Sequence, residues 1–274
     1  MSRFSLNQAT LKYAGLQDAV RVTVDAGIES IGLWREPVAE FGLAESAALV
    51  RDAGLRVSSL CRGGFLTALD RTAAIDENRR AIEETAALGA PTLVLVVGGL
   101  PEGSRDLVGA RERVRDAIGE LVPDALAAGV SLAIEPLHPM YVTDRAVVST
   151  LGQALDIAEQ FDASAVGVVV DTFHIFWDPH VLPQIARAGA GDRIASYQVC
   201  DWNMPIAADP LLSRGYPGDG LIDFESLTLA VAATGYTGDI ECEIFNQEIW
   251  DSAWAGVAAR SKESFDLLVA PHLS

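Results

Sequence analysis

Four stretches of this 274-residue chain carry polar side chains at or near the end of an apolar run. Leu132-Ala133-Ile134 runs into Glu135, with His138 three residues on. Val168-Val169-Val170 runs into Asp171, with His174 three residues on. Ser196-Tyr197-Gln198-Val199 carries Gln198, and Asp239-Ile240-Glu241-Cys242-Glu243 carries two glutamates. One such residue is ordinarily a solvated loop group or a helix cap. Four on consecutive segments point to a shared rim. Carboxylates crowded at low dielectric repel one another and are driven toward protonation. A divalent cation removes that penalty. An oxygen-rich set without cysteine selects a hard ion, Mn²⁺ or Mg²⁺ before Co²⁺. Such an ion polarises a carbonyl or two neighbouring sugar oxygens as a Lewis acid. Glu241 and Glu243 share a strand face by alternation, so spacing leaves open which of them ligates and which pairs with an arginine.

The elements that must bring these residues together alternate regularly. Strands are expected over Phe4–Ala9, Ser30–Trp34, Arg56–Cys61, Thr92–Val97, Ser131–Glu135, Val166–Asp171, Ile194–Val199 and Asp239–Ile244. Continuous apolar runs such as Leu93–Val97 and Val166–Val170 suit parallel strands covered on both faces. Helical spacing fills the gaps: Leu16–Ala26, Ala44–Ala53, Ile75–Leu88, Ala110–Ala128, Leu151–Phe161, Val181–Ala188, Phe224–Ala233 and Ala253–Leu268. Gly54, Gly89 and Gly129 sit where helix C-caps belong, and Thr150 and Asp223 where N-caps belong. Eight strands and eight helices predict an α/β fold, a (β/α)8 TIM barrel, spanning residues 1–274 as one domain. A doubly wound open sheet would more often carry a Gly-rich phosphate loop, and no GxGxxG or GxxxxGK[ST] is present. A barrel sets its active site at the C-terminal ends of its strands, where the polar residues fall.

Composition narrows the partners. Lys plus Arg is 20 against 38 for Asp plus Glu, a net charge of −18. That balance repels phosphate backbones and anionic lipid heads, so neither nucleic acid nor a membrane is expected as partner. No apolar run approaches the roughly 20 residues a bilayer span needs, and the N-terminal residues do not read as a signal peptide. The three cysteines, Cys61, Cys200 and Cys242, form no CxxC and read as reduced thiols of a cytoplasmic protein. With no GxSxG and no cue for an activated cysteine, nucleophilic hydrolysis is unsupported.

The motifs Ala133-Ile134-Glu135-Pro136, Val170-Asp171-Thr172-Phe173-His174 and Gly235-Tyr236-Thr237-Gly238-Asp239-Ile240-Glu241-Cys242-Glu243 resemble the sugar phosphate isomerase/epimerase superfamily, the xylose-isomerase-like barrels. The resemblance covers essentially the whole chain. It implies metal ligands at Glu135, Asp171, Gln198 and Glu243, and a substrate-side histidine at His174. Gln198 departs from the pattern, since many members have histidine there. A neutral carbonyl oxygen keeps the site possible, makes it harder in character, and argues against a zinc-cluster nuclease.

A narrower resemblance rests on Leu6-Asn7-Gln8-Ala9-Thr10, Gly32-Leu33-Trp34-Arg35-Glu36-Pro37, Ser59-Leu60-Cys61-Arg62-Gly63-Gly64 and Glu135-Pro136-Leu137-His138-Pro139-Met140-Tyr141. These segments are similar to the large subunit of bacterial C-glycoside deglycosidases. That implies a 3-oxo-C-glucoside substrate and a small β-rich partner subunit in a hetero-oligomer. The shared chemistry begins by removing the proton beside a ketone. Return of a proton to the other face epimerises or isomerises a free sugar or inosose. Expulsion of the C1 substituent cleaves the C–C bond. His138 is the expected base, its ordinary pKa near 6.5 suiting neutral pH. Asn7, Trp34 and Arg62 are expected substrate contacts, with the indole offering a stacking face to sugar or phenol. The long loop Asp201–Asp219 is expected to act as a lid or a subunit contact. A sugar-binding or assembly subunit without catalysis is the remaining alternative.

Overall fold

A computed structural model describes residues 2–273. Ten strands are formed among the described residues: β1 (Phe4–Asn7), β2 (Ser30–Trp34), β3 (Arg56–Gly64), β4 (Thr92–Val96), β5 (Ser131–Ile134), β6 (Val166–Asp171), β7 (Ile194–Val199), β8 (Asp201–Trp202), β9 (Arg214–Gly215) and β10 (Ile240–Cys242). Eight of them close a parallel barrel in the order β1-β10-β7-β6-β5-β4-β3-β2, while β8 and β9 pair antiparallel outside it. The expected α/β barrel is the fold. The β4 and β6 runs are buried along their whole length, as strands covered by helices on one side and a filled barrel on the other must be.

The helices follow the apolar period, with small shifts at their ends. Asp70, Asp106, Thr150 and Asp223 each accept a hydrogen bond from a first-turn backbone N–H. The helix Leu107–Ala128 stops at Gly129, whose φ of +67° closes the last turn. Three short helices escaped the sequence reading: Thr172–Ile175, Gln247–Trp250, and Arg35–Phe41 directly after β2, with Pro37 tolerated in its first turn. β1 stops at Asn7, whose side chain caps a 3-10 turn over Gln8–Leu11, and β10 stops at Cys242. The shorter β10 leaves Glu243 just past the strand, free to reach sideways over the barrel end.

Register fixes which polar residues share a level. Asp171 pairs with Gln198, Gln198 with Glu241, and Glu241 with Ser5. In parallel strands, registered neighbours point to the same face. The ring Asp171–Gln198–Glu241 therefore lies in one layer of the barrel interior, and Glu243 lies above it.

Candidate metal centre and active cavity

A cavity of about 530 Å³ opens at the C-terminal end of the barrel. Its depth is lined by Cys61, Glu135, His174, Arg214 and Glu243, and its mouth by Lys12, Trp34, Arg62, Phe65, Arg145 and Phe245. Glu135, Asp171 and His174 each bring a ligand atom within 4.8 Å of the others. All three are buried.

The residue that organises this centre is Arg214, which the sequence reading missed. It sits on β9, carried in by the long loop after β7, and is 2% exposed. Its Nη1 lies 3.0 Å from Asp171 Oδ2 and 3.2 Å from Glu243 Oε2, and donates to the Glu243 carbonyl at 3.2 Å. Its Nη2 lies 3.0 Å from His174 Nε2. Burial opposes the guanidinium charge, but the surrounding anions, Asp171 first, hold its pKa above the ordinary range. The loop itself is anchored by Asp201, whose carboxylate accepts from the N–H groups of Trp202, Gly218, Gly220 and Ile222 at 2.8–3.0 Å. Gly220 is required there: a Cβ would fall 2.2 Å from the Trp202 carbonyl oxygen. A motif search for acids and histidines had no reason to select an arginine fifteen residues beyond the end of β7.

Three carboxyl groups, Glu135, Asp171 and Glu243, thus face one guanidinium. Burial pushes Glu135 well above the usual carboxylate range, and Asp171 pushes it further. Burial likewise raises Glu243, to about 8, against the pull of Arg214. Excess buried negative charge is the condition that a cation relieves. Gln198, 1% exposed, adds a buried carbonyl oxygen with no partner among the described residues. Carboxylate, carbonyl and imidazole donors fit a divalent ion at the Glu135–Asp171–His174 side of the centre. Glu243 shares the Nη1 of Arg214 with Asp171 and is not one of that trio.

The other expected site residues have definite places. Trp34 and Arg62 line the cavity. Arg62 stacks over Phe65 at 4.6 Å, and its nearest carboxylate is Glu36 at 3.9 Å rather than Glu243. Asn7 is fully buried: its Oδ1 accepts from Ala9 N–H and Trp34 Nε1–H, and its Nδ2 donates to Glu241. It positions the indole and does not line the cavity. His138 does not line it either. Its ring packs 5.4 Å from Trp177 and 5.3 Å from Trp202, its Nδ1 accepts from Met140 N–H, and burial lowers its pKa. His174 lies between two donors, the His138 backbone N–H at 3.2 Å from Nδ1 and Arg214 at Nε2. Neutral imidazole accepts at only one nitrogen, so only one of these contacts is a hydrogen bond. Burial, then Arg214, holds His174 well below its ordinary pKa. Of the five tryptophans, Trp34 alone lines the cavity among the described residues.

Comparison with known proteins places the architecture. The family model for the xylose isomerase-like TIM barrel matches residues 20–268. Protein SMc04130 from Sinorhizobium meliloti superposes with a TM-score of 0.94 at 46% identity, covering 97% of this chain and 98% of that one. An inosose isomerase of Halalkalibacterium halodurans is 24% identical over 204 residues, 73% of this chain and 69% of its own length. A 3-dehydroshikimate dehydratase of Pseudomonas putida is 35% identical over 107 residues, and this match takes in 36% of the chain but only 16% of the dehydratase. No helix among the described residues is long and apolar enough to cross a membrane. The chain belongs to the xylose isomerase-like TIM-barrel family, whose relatives include sugar isomerases and epimerases.

Proposed function

We propose that this protein is a divalent-metal-dependent enzyme that removes the proton beside the ketone of a sugar or cyclitol. The observation that carries the reading is the buried centre of three carboxyls and one guanidinium at the base of a C-terminal cavity. Glu135, Asp171 and His174, with the carbonyl of Gln198, would hold the ion, which supplies Lewis acidity toward adjacent carbonyl and hydroxyl oxygens. Glu243 is the base. It lines the cavity, is not in the ligand trio, and shares Arg214 with Asp171. The His138 ring packs against Trp177 and Trp202 rather than lining the cavity, and a neutral His174 that holds the ion has no second lone pair for that proton. Arg214 faces the charge that develops as the proton leaves, a fixed cation in a site shielded from water. The relatives include an inosose isomerase and a 3-dehydroshikimate dehydratase, names that fit chemistry beside a ketone.

The finer reading is cleavage of the C–C bond of a 3-oxo-C-glucoside. Trp34, Phe65 and Phe245 around the mouth support it, because a phenolic group on C1 needs aromatic surface outside the sugar pocket. A small β-rich partner subunit belongs to this reading. The isomerase relatives favour the second reading, isomerisation or 3-epimerisation of a free ketose or inosose. Incubation with Mn²⁺ of a 3-oxidised C-glucoside and a panel of ketoses, followed by chromatography and mass spectrometry, separates them. Chelator-sensitive aglycone release supports cleavage. An isomer of unchanged mass supports the second reading. Neither product, with or without a partner subunit, would leave only sugar binding.

A further inference from the structure

Glu241 lies on the strand next to Gln198 and takes no part in the cavity, yet it is completely buried. Every polar neighbour within hydrogen-bond range donates to it. Oε2 accepts from Ser58 Oγ at 2.5 Å and Ser59 Oγ at 2.8 Å, and Oε1 from Asn7 Nδ2 at 2.7 Å and Gln198 Nε2 at 3.1 Å. Gly32 makes room for it, since a Cβ there would fall 2.5 Å from the Glu241 carboxyl carbon.

With Glu241 ionised, this arrangement leaves no freedom in the orientation of the amides. Asn7 Oδ1 must accept, because it faces the backbone N–H of Ala9 and the indole N–H of Trp34. Asn7 Nδ2 is therefore the end that meets Glu241 Oε1, which makes Oε1 an acceptor. The end of the Gln198 amide that meets the same oxygen must then be its NH₂. Gln198 stands in register between Glu241 on one side and Asp171 on the other. With its NH₂ turned to Glu241, its carbonyl is left on the Asp171 side, buried and without a partner among the described residues.

We infer that Glu241 is a positioning residue: it holds the Gln198 amide with the carbonyl oxygen toward the metal centre, and so makes the site select a hard, oxygen-loving ion over zinc. The inference rests on the metal reading above. Without a fixed acceptor beneath it, Gln198 turns either end inward, and an inward NH₂ repels a cation. Outer partners of metal ligands typically influence affinity by about 10- to 100-fold.

The test uses the full chain, stripped with chelator. Mn²⁺ binding is followed by electron paramagnetic resonance, Zn²⁺ binding by calorimetry, and folding by melting. Gln198→Ala is expected to weaken Mn²⁺ about tenfold, and Glu241→Gln by a comparable factor, because an amide at 241 offers an N–H as well as a carbonyl. In the Gln198→Ala background, Glu241→Gln is expected to change Mn²⁺ affinity by less than about twofold. Gln198→His is expected to shift preference toward Zn²⁺. Equal weakening by Glu241→Gln in both backgrounds would mean that the charge acts directly, and would overturn the inference. Wild-type crystals soaked in Mn²⁺ decide the matter should a variant fail to fold: Gln198 Oε1 bonded to the ion supports it, and Nε2 or no contact refutes it. If the wild type binds no Mn²⁺, the metal reading itself fails; if it binds Mn²⁺ regardless of Gln198 and Glu241, only this inference does.

Discussion

The two ends of the barrel differ in how their charges are balanced. The larger hollow is at the N-terminal end, about 920 Å³, lined by Arg51, Arg56, Ser58, Ser196 and Asp239 among others. There the partners match: Arg56 pairs with Asp239 at 2.8 Å and with Glu29 at 3.5 Å, in a half-exposed setting. The C-terminal cavity is smaller, about 530 Å³, and its buried charges do not cancel. Three carboxyls share one guanidinium, and two of the three are driven toward protonation. Volume does not mark a reactive site. Uncompensated buried charge does, because it stores a preference for a ligand that water cannot satisfy.

Arg214→Met should break the contrast most severely. It leaves Asp171 and Glu243 buried without their cation, so the metal-free protein should lose about 3–5 kcal/mol of stability, and turnover should fall by about 10²–10³. Melting with and without Mn²⁺, beside a rate assay, measures both. A variant as active as the wild type would remove Arg214 from the mechanism. Glu243→Gln should lower turnover by about 10²–10⁴ while leaving the melting temperature equal or higher, since a raised carboxyl pKa marks a destabilised anion.

The same group sets a pH dependence in the metal-free protein. With Glu243 at about 8 when folded and near its ordinary value when unfolded, the folded state binds the extra proton between roughly pH 4.5 and 8. Stability should therefore be fullest below that window and decline as pH rises through it. A melting series should show the decline in wild type and a flatter line in Glu243→Gln. At the opposite end, Arg56→Gln should remove about 1 kcal/mol or less and leave turnover within about twofold. A large loss of activity there would mean that the N-terminal hollow is not inert.

The barrel was legible because each unit repeats one strong signal, a short apolar run followed by a helical period. The rim residues Glu135, Asp171 and Glu243 were legible because strand ends are set by that same pattern. Arg214 was not, because its place depends on the path of a loop held by the Asp201 anchor and the two-residue β8–β9 pair, too short to read from the sequence. Asn7 and His138 fell where the expectation put them along the chain. Their side chains lie against a neighbour, Glu241 for one and the Trp177–Trp202 pair for the other, outside the cavity lining. Sequence spacing sets which residues reach a rim, and three-dimensional competition decides which of them remain available to a substrate.

The Asp201 anchor also has a consequence for motion. One carboxylate collects the N–H groups at both ends of the segment, while its middle pushes Arg214 between two buried acids. The loop cannot lift without exposing that charge and stranding its partners, so opening is all-or-none. Loop and centre therefore form one cooperative unit of local unfolding. Amide protons at Gly218, Gly220 and Ile222 should exchange together, at a rate set by the integrity of the centre rather than by the loop's length. Protease cleavage between residues 203 and 213 should serve as a clock for its assembly.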